Sequence, residues 1–465
     1  MMFKDNQIMK DITLIVMAAG DSVRFSNNAA QHNYTHNKHY NPIAKATSCS
    51  VTSCREMAFS HKISTKKQWL RIGATPLWHF VTHNLIFQIL ETLTMLQSVR
   101  EQDNSTNTKI TLKQAIITAS QKDIAYMRKL IENTLCLNVN GHTFEIPLKI
   151  VLGGNTRFKS LQNAMQEVSS SHVIVSDCAR FDIKQHVLRD MLSKLIDNDY
   201  DCIVPYLNIT DTTLYYDEIL DIYKPIQRDN LKCIQTPQIT NTRRLLESFT
   251  KKQDFSDESS AICALDNPKI CFVAGSKDMA KLTYHDDINM LKKLYYSNSH
   301  LRQSDTLIGY GSDIHGFIES KPMYLCGVRI QSEQGFKAHS DGDVAIHAII
   351  DSILGAMNYG DIGELFPDTK QKFKDIDSKI LLQEVYDYCL SVGLEIINLD
   401  ITIIAQTPKI SPYKTQMQET LAKLLYLPKI CVSIKASTAE GLGFIGRKEG
   451  VLVQSVVQLR ARKFS

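Results

Sequence analysis

The residues best equipped for chemistry fall in two groups. Late in the chain, Gly311-Ser312-Asp313-Ile314-His315-Gly316 sets a carboxylate and an imidazole two apart on an extended run, so both side chains leave the same face. His347 closes the stretch Ala338-His339-Ser340-Asp341-Gly342-Asp343-Val344-Ala345-Ile346, which leads into a helix. Asp313, His315 and His347 offer one oxygen and two nitrogens, a donor set that suits a catalytic zinc with an open fourth position. Asp351 lies one turn beyond His347 on the same helical face and is expected to orient its ring. Segment 360–368 is rich in turn residues and carboxylates, and 435–447 follows a strand and reads as a polyphosphate loop.

The second group sits at strand ends in the first half. Met17-Ala18-Ala19-Gly20-Asp21-Ser22-Val23-Arg24 follows an apolar run, and its small residues let backbone N–H groups approach a triphosphate while Arg24 adds a fixed charge. Gly153-Gly154-Asn155-Thr156-Arg157-Phe158-Lys159-Ser160 is another strand-to-helix loop. Val175-Ser176-Asp177-Cys178-Ala179-Arg180 puts a carboxylate and an arginine where packing needs neither, so a ligand or metal is the better explanation.

The elements that must position these groups can be read from periodicity. Apolar runs at 12–18, 115–119, 148–152, 173–176 and 202–206 alternate with helix-like stretches such as 158–168 and 184–196. That pattern predicts an α/β domain with a doubly wound parallel sheet and ligands at the carboxyl ends of its strands. From residue 306, strand-like runs at 307–310, 323–330, 399–405, 430–436 and 451–459 mix with helical stretches near 342–357, 377–392 and 412–425, which predicts a smaller α/β sandwich. The polar stretch 295–305 reads as the linker, giving domains 1–300 and 306–465. A second polar stretch, 26–66, contains His32, His36, His39, His61, Cys49 and Cys54; its spacings match no ordinary zinc module, and it reads as an inserted loop.

Composition narrows the class. The 465 residues carry 53 Lys+Arg against 49 Asp+Glu, a net +4 that argues against a nucleic-acid or membrane-surface binder. Hydrophobic residues at 43% and charged ones at 22% suit a globular protein, and no apolar run approaches the roughly 20 residues needed to cross a bilayer. The 11 scattered cysteines show no paired framework and, with no apolar leader, point to reduced thiols in a cytoplasm.

Ala18-Ala19-Gly20 with Arg24, Lys67-Gln68-Trp69-Leu70, Gly153-Gly154, Asp177-x-x-Arg180, Asp211-Thr212, Arg228, Thr236-Pro237-Gln238, Asp257-Glu258 and Lys281-x-Thr283 together resemble 2-C-methyl-D-erythritol 4-phosphate cytidylyltransferase over about 10–290. The resemblance implies a Rossmann-like nucleotidyltransferase domain. Arg24, Lys67 and Lys281 would grip the CTP phosphates as catalytic groups. Ala19, Gly20, Gly154 and Ser160 would line the nucleotide site, and Asp177, Arg180, Thr212 and Arg228 would hold methylerythritol phosphate, with Asp177 near Mg²⁺ or Mn²⁺. Ala-His-Ser-Asp-Gly-Asp-Val, Gly-Asp-Ile-Gly-x-Leu-Phe-Pro-Asp and Gly-Phe-x-Gly-Arg-x-Glu-Gly resemble 2-C-methyl-D-erythritol 2,4-cyclodiphosphate synthase over 306–460. That resemblance implies Zn²⁺, or another divalent cation, on Asp313, His315 and His347, and Mg²⁺ or Mn²⁺ on Glu440. It further implies erythritol binding by Asp361, Gly363 and Asp368, and phosphate contacts from His339 and Ser340. Ala405, Pro408, Lys409, Ser437 and Thr438 would shape the cytidine diphosphate pocket, Thr438 also as a catalytic group, with Phe444 and Arg447 beside the substrate.

Both resemblances in series imply a bifunctional enzyme of small-molecule substrates, CTP and methylerythritol phosphates, built as a homo-oligomer on a trimer of the second domain. The alternative is an active cyclodiphosphate synthase whose first half is a non-catalytic binding or assembly module.

Overall fold

Ile12, Leu14, Ile15 and Val16 are all buried, so the strand that holds them is covered on both faces. The computed structural model describes residues 8–20, 65–103, 108–251, 253–284, 287–297, 306–319, 321–338, 340–367 and 376–462. Contacts divide the chain into two units, Met1–Arg24 with Thr75–Leu294 and Phe25–Ala74 with Tyr295–Ser465.

In the first unit the main elements are β1 (Ile8–Met17), α1 (Leu77–Asp103), β2 (Thr108–Ala119), β3 (Thr134–Val139), β4 (His142–Leu152), α2 (Arg157–Met165), β5 (His172–Asp177), α3 (Gln185–Asp197), β6 (Cys202–Asn208), β7 (Thr213–Asp217), β8 (Ile222–Ile226), β9 (Lys232–Ile234), β10 (Gln238–Asn241), α4 (Thr242–Ser248), α5 (Glu258–Cys263) and β11 (Ile270–Ala274), with further short helices at Ile124–Lys129 and Ile288–Ser297. A nine-stranded sheet runs β9-β6-β10-β5-β1-β2-β4-β3, with β11 also on β6. β1 is parallel to β2 and β5, with Ile15 opposite Ile116 and Val175. Ile15, Met17, Ile116, Val151, Val173 and Val175 share one core with Phe158, Leu161 and Met165 of α2.

The sheet is mixed rather than wholly parallel. β10 is antiparallel to β5 and β6 and separates them. Its sequence, Gln-Ile-Thr-Asn after a proline, has neither the length nor the apolar run that marks the other strands. β7 and β8 form a separate antiparallel hairpin with Leu214, Tyr215, Tyr223 and Ile226 exposed.

The second unit contains β12 (Thr306–Glu319), β13 (Met323–Leu325), β14 (Val328–Ile330), β15 (Gln334–Phe336), α6 (Val344–Met357), α7 (Ile362–Leu365), α8 (Ser378–Ser391), β16 (Leu394–Ile404), α9 (Lys414–Leu424), β17 (Val432–Ser437), α10 (Gly443–Gly446) and β18 (Gly450–Ala461). Its five-stranded sheet runs β15-β12-β18-β16-β17. Where the sequence suggests one strand over 323–330, the chain forms a hairpin, because Cys326 and Gly327 take left-handed conformations with φ of 53° and 75°.

Helix α6 is almost wholly apolar and lies directly on β12. A Cβ at Gly309 would stand 1.9 Å from the Ser352 carbonyl oxygen, and one at Gly311 would stand 2.0 Å from that of Ala348. The glycines therefore set the helix-to-strand spacing. Gly311→Ala is expected to push α6 outward, costing about 1–3 kcal/mol of stability. Thermal unfolding of the full chain checks this, and an unchanged midpoint would refute it.

Residues 65–74 group by contact with this second unit. Thr65 Oγ1 donates to the Leu390 carbonyl at 3.3 Å, and Arg71 Nε donates to that of Val392 at 3.0 Å. Trp69 and Leu70 are fully buried. An apolar Trp-Leu pair in sequence does not reveal which core receives it.

Candidate active sites

Asp177 is the last residue of β5, with its carboxylate between two cations. Arg157 Nε donates to Oδ1 at 3.1 Å and Lys281 Nζ to Oδ2 at 2.7 Å. Arg157 also grips Glu258, Nη1 to Oε1 at 2.8 Å and Nη2 to Oε2 at 3.3 Å. Burial alone would raise Asp177, but Arg157 and Lys281 overcome it and hold the carboxyl well below its ordinary value. Arg157 and Glu258 each begin a helix. Thr156 caps α2 by accepting from the Lys159 N–H, and Asp257 caps α5 in a reciprocal capping box with Ser260.

The loops after β1 and β4 meet beside this cluster. A Cβ on Gly153 would lie 2.4 Å from the Ala19 Cβ, so glycine is what permits the approach. Ser160, expected to face the nucleotide, is buried, and its Oγ accepts from the Gly154 N–H at 2.9 Å and donates to the Thr156 carbonyl at 2.9 Å. It shapes the loop from beneath. Arg180 donates to the Met279 carbonyl, and Lys281 follows two residues later in chain. Thr212 and Arg228 flank the β7–β8 hairpin, where Arg228 Nη1 donates to the Thr210 carbonyl at 2.7 Å. Lys67 stands in a 3-10 turn, Lys67–Trp69, in the segment grouped with the second unit. Arg24 lies outside the described residues.

In the second unit the expected triad converges. Asp313 Oδ2 is 3.1 Å from His315 Nε2 and 3.2 Å from His347 Nδ1, and ligand atoms of the three residues lie within 4.8 Å of one another. Strand period places Asp313 and His315 on one face of β12, and the close approach of α6 brings His347 to them. The remaining ring nitrogens are also placed: His315 Nδ1 is 3.0 Å from the Gly342 carbonyl, which leaves Nε2 free to ligate. His347 Nε2 is 3.2 Å from Ser340 Oγ and 3.1 Å from Ser378 Oγ. Burial would raise Asp313, yet the two imidazoles hold it well below its ordinary value; burial disfavours charged His315, yet Asp313 lifts it above its own. Two histidines crowding one carboxylate form a site that fits a divalent cation.

Asp351 does not orient His347. Its Oδ1 accepts from the Ile362 N–H at 2.8 Å and so fixes the loop holding Asp361 and Gly363, because the His347 ring turns toward β12 instead. Asp361 caps α7 by accepting from the Glu364 N–H at 3.0 Å. Ala405 is buried, and its N–H donates to the Ser437 carbonyl at 3.0 Å, joining the end of β16 to the 437–447 loop. Pro408 follows a cis bond from Thr407, and Lys409 is exposed. Within the loop Thr438 donates to the exposed Glu440 carboxylate, Phe444 is half-buried, and Arg447 pairs with Glu449 at 2.8 Å. His339 and Asp368 lie outside the described residues.

Arg157 and Glu258 are residues of this site that the sequence alone does not single out. Both stand inside quoted motifs, but their contact spans 101 residues and has no local signal.

Residues 66–295 match the family model for 2-C-methyl-D-erythritol 4-phosphate cytidylyltransferase, and 306–460 match that of the YgbB family. A bifunctional enzyme IspD/IspF of Aliarcobacter butzleri is 39% identical over 452 residues, covering 97% of this chain and 98% of its own. That of Campylobacter fetus subsp. fetus is 38% identical over 454 residues, covering 97% and 98%. The solved structure of the bifunctional IspDF from Campylobacter jejuni aligns with a TM-score of 0.69 and 34% identity, covering 98% of this chain and 99% of that one.

Proposed function

The chain belongs to the bifunctional IspD/IspF enzymes, and from that membership we propose how its two residue clusters divide the two reactions. It converts CTP and 2-C-methyl-D-erythritol 4-phosphate to 4-diphosphocytidyl-2-C-methyl-D-erythritol and pyrophosphate. It also converts the 2-phosphate of that product to 2-C-methyl-D-erythritol 2,4-cyclodiphosphate and CMP. The alternative of a silent first half is set aside, since curated bifunctional relatives match along 97% of the chain.

The first reaction belongs to the Asp177 cluster. A substrate phosphate oxygen attacks the α-phosphorus of CTP and pyrophosphate leaves, so the work is positioning and charge neutralisation. Lys281 is the described cation best placed for it, with Arg24 and Lys67 assigned by family likeness. Ala19, Gly20 and Gly154 give close backbone approach to the nucleotide, with Ser160 shaping that loop. Asp177, Arg180, Thr212 and Arg228 orient methylerythritol phosphate.

The second reaction belongs to the other unit, and the convergence of Asp313 Oδ2, His315 Nε2 and His347 Nδ1 carries that assignment. These residues would hold a divalent ion, zinc by donor chemistry, and Glu440 would hold Mg²⁺ or Mn²⁺; bound there, such ions supply positive charge and a template for the diphosphate. Asp361, Gly363 and Asp368 hold the erythritol, His339 and Ser340 its phosphate, and Ala405, Pro408, Lys409, Ser437, Thr438, Phe444 and Arg447 the cytidine diphosphate. The chain's part is to fold the 2-phosphate back onto the β-phosphorus as CMP leaves. We place the active assembly on a trimer of the second unit and the enzyme in the cytoplasm; among the described residues no helix is long and apolar enough to cross a membrane.

A chelator is expected to stop both reactions of the full-length enzyme. Zn²⁺ added back without Mg²⁺ should not restore pyrophosphate release. Undiminished cyclodiphosphate formation after exhaustive chelation would refute the metal assignment. The intact chain is the proper reagent, because Thr65 and Arg71 take partners at Leu390 and Val392 that a fragment ending near residue 300 lacks.

A further inference from the structure

Glu258, Arg157, Asp177 and Lys281 form one continuous line of contacts at the carboxyl end of β5, and its members are not equivalent. Glu258 is 0% exposed, and both its oxygens face Arg157, so it is closed to any ligand. A two-point carboxylate grip fixes the plane of a guanidinium, which a single contact leaves free to swing. Arg157 then meets Asp177 through Nε alone and leaves Oδ2 to Lys281. The Lys281 side chain is 40% exposed on a flexible stem. A polyphosphate offers that ammonium far more negative charge than one carboxylate does.

We propose that Arg157, locked by Glu258, is the positioning residue that keeps the Asp177 carboxylate in its working orientation when Lys281 leaves it for the substrate phosphates. The inference rests on the reading of Asp177 as a substrate-orienting carboxylate. Three rigid features support it. Arg157 is the first residue of capped helix α2, Glu258 the first of capped helix α5, and Asp177 the last of the fully buried strand β5. With Lys281 withdrawn, Arg157 is, among the described residues, the side chain that still donates to the Asp177 carboxylate. Burial disfavours a charged Arg157, but Glu258 and Asp177 more than offset it and hold the guanidinium firmly protonated.

The test uses the full-length enzyme with Glu258→Gln, Arg157→Lys and Asp177→Asn, alone and paired. Glu258→Gln, which keeps the shape and removes the charge, is expected to lower kcat of cytidylyl transfer about tenfold to a hundredfold, with KM for CTP within about threefold. Arg157→Lys, which keeps the charge and removes the fork, should behave alike. Cyclodiphosphate formation by the same chains should be unchanged. On the Asp177→Asn background, Glu258→Gln should cost no more than about twofold further, since both act through one carboxylate. Full activity of Arg157→Lys, an equal additional loss on the Asp177→Asn background, or a parallel fall in both activities and in thermal midpoint would each overturn the proposal. Undiminished transfer by Asp177→Asn alone would overturn the parent assignment as well, and so distinguishes the two failures.

Discussion

His347→Ala is expected to lower cyclodiphosphate formation by about a hundredfold to a thousandfold or more, while pyrophosphate release from CTP stays within about twofold. The imidazole supplies one of three converging donor atoms, at 3.2 Å from Asp313, and among the described residues of this triad alanine leaves the pair on β12. Two donors do not hold a divalent ion against water as three do. The fold should survive, because α6 is anchored by apolar residues on its other faces and by its Asp343 cap, which accepts from the Ile346 N–H at 3.0 Å. Metal content should fall with activity, from about one tightly held ion per chain toward none. Equal loss of both activities would show that the substitution damages the molecule rather than the site, and retained cyclisation would remove His347 from the mechanism.

Asp177→Asn should do the converse, lowering kcat/KM of cytidylyl transfer by about a hundredfold to a thousandfold with cyclisation intact. An amide of the same shape cannot answer two cations, so Arg157 and Lys281 would face each other without their shared carboxylate. Removing one partner of a buried pair costs about 3–5 kcal/mol, so the thermal midpoint must be measured beside the rate, with cyclisation as an internal control. The pH dependence has a definite sign. The folded pKa of Asp177 is depressed below its unfolded value near 3.8, so its contribution to stability is present above that value and is lost only as pH falls through the lower folded value. Between about pH 5 and 9 the carboxylate therefore stays charged, and an acidic limb of cytidylyl transfer in that range must come from another group. A limb abolished by Asp177→Asn would contradict this.

Local pattern accounts for what the sequence made legible. Asp313 and His315 were readable as a pair because strand geometry sends residues two apart to one face. The helices at 344–357, 378–391 and 414–424 fell where periodicity set them. Small residues after apolar runs marked the strand ends that meet at Ala19 and Gly153. Local pattern does not decide where one residue has several equally good partners. Asp351 shares a helical face with His347, yet its carboxylate accepts from the backbone N–H of Ile362. Cys326-Gly327 turns a run that reads as one strand, and polar Gln238–Asn241 is a sheet strand with little strand character of its own.

By itself, then, the sequence determined that there are two phosphate-handling chemistries in series, which residue types serve each, and which of them offer metal donors, because those properties follow from residue identity and short-range spacing. Only the tertiary structure decided which charges answer one another. It set Glu258 behind Arg157 and Arg157 behind Asp177, across 101 and 20 residues of chain. It brought His347 to β12 through the bare backbone at Gly309 and Gly311, and it attached Thr65 and Arg71 to the second unit's carbonyls. Contacts at such separations depend on how covered sheets and helices stack, and no local periodicity carries that information.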